Sequence, residues 1–114
     1  MKIQYIINQI TNIESCPYSF MCWDFAREHG FNFNSHYEEI WTGEYDTEIF
    51  GNKEFYAEDI LERLFEIFNM NHPREFEGHS LSTSDIIELK IDNFNLGKYY
   101  CDFFGFTRIE DEGR

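Results

Sequence analysis

Three serines at alternate positions, Ser80, Ser82 and Ser84, are followed at once by Asp85, and two histidines, His72 and His79, lie in the same stretch between Phe68 and Asp85. A hydroxyl, an imidazole and a carboxylate are the parts of an activated nucleophile. That chemistry also needs a strained turn to present the nucleophile and backbone N–H groups to receive the oxyanion. The stretch carries neither signature. The same residue types have a simpler use. Serine and aspartate side chains bond to nearby backbone N–H groups and close turns, so Asp85 can cap the loop. Gly78 suits a positive φ, and Pro73 stiffens the exit from the preceding helix. Two readings stay open: a self-bonded loop, or a binding loop on a rigid scaffold. No catalytic residue is assigned.

Metal chemistry is the next possibility. Cys16, Cys22 and Cys101 with His29, His36, His72 and His79 supply the ligand types for zinc, but none of their spacings matches a known ligand pattern. Thiols buried as small hydrophobes and histidines in loops are expected, with no metal and no cofactor. The odd cysteine count speaks against a disulfide framework. Adjacent carboxylates such as Glu38 and Glu39 on a strand point to opposite faces and do not form a dyad. No glycine loop for a phosphate is present.

Acidity is the remaining chemical feature. The 114 residues carry 22 acids against 9 Lys and Arg, for a net charge of −13. Between Glu38 and Glu66, ten acids face only Lys53 and Arg63, a local balance of −8. Such a chain repels nucleic acid and anionic membrane and is attracted to basic surfaces. Duplex DNA presents one charge per about 1.7 Å of axis, which a row of carboxylates on a strand, loop and helix could imitate. The candidate partner-binding residues are Glu38, Glu39, Glu44, Asp46, Glu48, Glu58, Asp59 and Glu62, with Tyr37, Trp41, Tyr45 and Phe50 interleaved as anchors. A solvated acidic face that serves only solubility is the plainer alternative.

The elements that must position these residues follow from periodicity. Lys2 to Asn8 alternates as a strand with Ile3, Tyr5 and Ile7 on one face. Ser15 and Pro17 suggest a helix start, and Tyr18, Met21, Cys22, Phe25 and His29 follow at helical spacing to Gly30, a left-handed cap. His36 to Thr42 reads as a strand ended by Gly43, with Tyr37 and Trp41 facing one way and Ile40 the other. Tyr56 to Phe68 reads as a helix whose apolar face is Ile60, Leu61, Leu64, Phe65 and Phe68. Ile86 to Ile91 and Lys98 to Phe104 read as strands joined by a longer loop, Asp92 to Gly97, and Gly105 permits a bend before Phe106 to Ile109. The expected fold is α+β. Two helices pack on one face of a small, mainly antiparallel sheet, in the order β-α-β-α-β-β, within a single domain spanning 1–114. Aromatic residues, 19% of the chain, argue for a core built on rings and against disorder. No signal-peptide core or membrane-length apolar run is visible, so a cytoplasmic setting is expected.

Asn69, His72-Pro73, Phe76 and Gly78-His79-Ser80-Leu81-Ser82-Thr83-Ser84-Asp85, with the later Tyr99-Tyr100-Cys101-Asp102-Phe103-Phe104-Gly105-Phe106, resemble the signature of the YodL-like domain. The matching positions run from about Leu61 to Ile109, with a weaker echo through Tyr37 and Tyr5. The family usually has Val-Asp-Ser before its Gly-Phe, where this chain has Cys101-Asp102-Phe103. The resemblance marks Asn69, His72, Pro73, Gly78, His79, Ser80, Ser82, Ser84, Asp85, Asp102 and Gly105 as motif positions. It implies a setting in phages and mobile elements of Gram-positive bacteria. Joined to the charge, it leads to a small interaction protein that binds a basic protein partner, such as a nucleic-acid-binding defence nuclease of the host, and blocks its nucleic-acid site. An anti-CRISPR or anti-restriction inhibitor is the concrete version. The alternative is an accessory domain that reads a peptide or protein through the His72 to Asp85 connector. An enzyme with an unrecognised site stands third.

Overall fold

The computed structural model describes residues 2–46, 53–70, 78, 81–91 and 94–109. The elements are β1 (Lys2–Ile10), α1 (Trp23–Glu28), α2 (Phe33–His36), β2 (Tyr37–Asp46), α3 (Lys53–Met70), β3 (Ile86–Ile91), β4 (Phe94–Cys101) and β5 (Phe106–Ile109). The strands form one antiparallel sheet in the order β2-β1-β3-β4-β5. The fold is α+β, with β-α-α-β-α-β-β-β in place of the expected order.

Alternation along the strands makes two apolar faces rather than one. Ile3, Tyr5 and Ile7 of β1 and Ile87 and Leu89 of β3 pack with Ala57, Ile60, Leu61, Leu64 and Phe68 of α3. The neighbouring positions of opposite parity build the second core. Ile86 is register partner to Asn8 and to Tyr100, and Ile86 and Tyr100 pack with Tyr18, Trp23, Ala26 and Phe31. α3 therefore covers one face, and the segment around α1 and α2 covers part of the other. The expectation of both helices on one face is corrected: β1 is covered on both sides, as the half-buried Ile6, the polar but buried Asn8, and Ile10 in the second core show.

Several boundaries differ from the sequence expectation for physical reasons. The first helix does not run from Pro17. Tyr18 turns inward and its hydroxyl meets His36 Nδ1 at 2.6 Å, Phe20 takes φ 64, and a helix begins only at Trp23. Asn32 caps the one-turn α2 by accepting from Ser35 N. β2 does not end at Gly43. That glycine pairs with Tyr5, and a Cβ on it would lie 2.5 Å from the Tyr5 hydroxyl oxygen, so the glycine marks a close approach inside the strand. A bulge opposite Ile7 and Asn8 turns Ile40 to the same core as Trp41, while Tyr37 joins the other core. β4 begins at Phe94, so the connection from β3 is short, and Phe106–Ile109 is a fifth strand.

Candidate functional site

Leu81 to Asp85 is the described end of the connector, and it is built into the sheet. Asp85 Oδ2 accepts from Ser82 N at 2.9 Å and from Gln9 Nε2 at 3.1 Å. Ser84 takes φ 85, uncommon for a residue with a side chain. Bonds on every side hold it there: its Oγ accepts from Phe20 N at 3.0 Å, its carbonyl accepts from the Tyr37 hydroxyl at 2.6 Å, and its N–H donates to Cys101 O at 2.9 Å. Leu81, Ser84 and Asp85 are buried. Burial pushes the Asp85 carboxyl up to about 8, against the lowering effect of its two donors. Burial likewise raises the hydroxyls of Tyr18, Tyr37 and Tyr100. Of the local bonding expected of this stretch, Asp85 to Ser82 N is present, while the Ser84 hydroxyl reaches Phe20 N, 64 residues away. Gly78 forms a bend, while His72, Pro73, His79 and Ser80 lie outside the described residues.

The second motif makes the turn between β4 and β5. Asp102 organises it. Its Oδ1 accepts from Phe103 N at 3.1 Å and from Trp23 N at 3.2 Å, which caps α1 from across the molecule. Its Oδ2 accepts from Thr107 Oγ1 at 2.6 Å, and its N–H donates to Gly105 O at 3.0 Å. Gly105 closes the turn at φ 76, a conformation that favours glycine. The turn holds two phenylalanines out: Phe103 is 55% exposed and Phe104 96% exposed. Singly exposed apolar residues are ordinary, but adjacent rings on a pinned turn form a patch.

A cleft of about 550 Å³ opens beneath this turn. Its α3 wall is Glu62, Phe65, Glu66 and Asn69, and its other wall is Asp102, Phe103, Gly105 and Phe106. Phe65 and Phe106 meet edge to face with ring centres 6.1 Å apart. Phe65, expected in the core, is 37% exposed and lines this cleft, while its neighbour Leu64 is buried. Asn69 Oδ1 is a buried acceptor with no hydrogen-bond partner among the described residues. Of the motif residues, Asn69, Asp102 and Gly105 come together here, whereas Ser82, Ser84 and Asp85 belong to the joint between strands. The phenylalanines were not among the residues singled out as a site. The readable signal for two of them was Phe103-Phe104 set between an aspartate and a glycine, a turn composition that cannot bury both rings.

The acidic residues occupy two regions. Glu38, Glu39 and Glu44 are exposed on the edge strand β2, and Glu58 and Glu62 are exposed on α3, with Asp59 half-buried. Asp46 ends β2, and Glu48 lies outside the described residues. Among the described residues, Lys2 lies 3.9 Å from Glu44, and Arg63 pairs with Glu66 at 2.7 Å. Cys16, Cys22 and Cys101 are free thiols. Among the described residues no group of three His, Cys, Asp or Glu could hold a metal ion, and no helix is long and apolar enough to cross a membrane.

The family model of the YodL-like domain matches residues 4–111. No curated protein and no solved structure matches the chain.

Proposed function

The chain belongs to the YodL-like domain family, and from that premise we propose that it is a small acidic interaction protein of a phage or mobile element, working in the bacterial cytoplasm. It binds a basic protein partner and occupies the surface where that partner takes nucleic acid, as a counter-defence inhibitor of a CRISPR or restriction nuclease. Binding, not catalysis, is its role. The observation that carries this reading is the net charge of −13 with exposed carboxylates on both an edge strand and a helix. A field of that size costs the compact state self-repulsion and steers association with a basic groove. The connector reading loses support at Ser82, Ser84 and Asp85, whose polar groups are taken up inside the fold.

The test is displacement of DNA from a panel of purified CRISPR and restriction nucleases across a salt series, with the wild-type chain and with Glu39→Lys/Glu44→Lys/Glu58→Lys. The wild-type chain displaces DNA from at least one nuclease, less so as salt rises, and the triple variant loses about tenfold or more in affinity with a flatter salt slope. No displacement from any member, or an unchanged slope in the variant, overturns the reading.

A further inference from the structure

β5 ends the strand order, so beyond its pairing with β4 its outer row of N–H and C=O groups has no strand partner among the described residues. Alongside it runs a trough. The 550 Å³ cleft shares Phe106 with a second one of about 330 Å³ that reaches Glu58 of α3 and Arg108 of β5. The two together lie between α3 and the sheet at Tyr99 of β4 and Phe106 and Arg108 of β5, with α3 as the far wall. An open sheet edge beside a helix is the geometry in which an extended peptide adds as a strand: main-chain bonds give affinity and flanking pockets read alternate side chains.

We propose that an extended segment of a partner protein, carrying Lys or Arg next to a large apolar side chain, docks here as an additional strand on β5. The apolar side chain enters between Phe65, Phe103 and Phe106. The cationic one meets Glu58 and Glu62, which have no ion pair among the described residues. Charge decides the occupant. A second copy of this chain would bring another −13 and the same acidic rim against it, whereas a basic segment relieves both. This inference rests on the proposed basic partner for the sign of the ligand and adds where and in what conformation it binds.

The experiment pans random-sequence displayed peptides on the full chain, then measures the enriched peptides by fluorescence anisotropy and by amide shift mapping. The expected peptides alternate basic and apolar residues and shift the amides of β5 and of the Glu58 to Asn69 flank. They lose about tenfold or more in affinity to Phe103→Ser and, separately, to Glu62→Lys, both exposed positions that leave the fold intact by circular dichroism. N-methylation of alternate peptide nitrogens removes binding, as strand addition requires. Enriched peptides without basic residues, equal affinity for wild type and both trough variants, or protein that sediments as a dimer through β5 would each overturn the assignment. Basic peptides that map to β2 and respond to Glu39→Lys/Glu44→Lys would sink the trough while leaving the acidic-surface reading standing. Failure of the nuclease displacement with the trough intact would do the reverse.

Discussion

Asp85 is the described carboxylate most displaced from ordinary titration. Its folded pKa near 8 stands above the ordinary 3.8, so between those values the folded chain holds a proton that the unfolded chain has released. The folded state then binds more protons, and the linkage makes stability fall as pH rises through that window and level off above it. Asp85→Asn keeps an acceptor for Gln9 and Ser82 without the charge. Thermal unfolding from about pH 5 to about pH 8 is expected to show a steeper loss for wild type than for this variant. Equal slopes would mean that Asp85 is charged throughout. The acceptor role of Asp85 was legible from the run of small polar residues. Its burial was not, because burial comes from contact with Gln9, which is 76 positions away in sequence.

At the scale of elements, α3 separates what periodicity can and cannot resolve. Its stripe of Ile60, Leu61, Leu64 and Phe68 is buried as read. Phe65 falls at the margin, about 85° from the stripe's centre at about 100° per residue, and so turns to the cleft. Leu64→Ala is expected to cost about 2–5 kcal/mol. Phe65→Ala, half in solvent and losing mainly its edge contact with Phe106, is expected to cost about 1 kcal/mol. Urea unfolding checks both, and a Phe65→Ala loss above about 3 kcal/mol would return that ring to the core. β3 and the first strand were similarly plain from alternation. The opening of α1 was hidden because its cap, Asp102, is 79 residues downstream of Trp23. Gly43 looked like a stop because the ring it makes room for belongs to Tyr5 on another strand. The Asn- and Gly-rich start of β4 is held extended by its register with β3, which no local propensity announces.

The whole molecule carries a net charge of −13, and the ion pairs among the described residues are exposed at both partners. Exposed pairs contribute little, so repulsion sets the response to salt. Raising sodium chloride from about 10 mM to about 150 mM is expected to raise the melting temperature by a few degrees as repulsion is screened. A fall, read by scanning calorimetry, would mean that ion pairs dominate instead. The central place of β1 has a further consequence, in time. β1 is the first of the sheet's five strands along the chain, yet it lies between β2 and β3, and its side-chain bonds reach Glu88, 80 residues later. Local contacts can form only the β1–β2 pair early. The sheet waits on the last third of the chain, and long-range pairing of this kind slows folding relative to a fold built from local contacts. Until then Ile3, Tyr5 and Ile7 lack Leu81, Ile87 and Leu89, their partners in the core. The exposed carboxylates of β2, already synthesised, set like charge against like between two nascent copies through that interval.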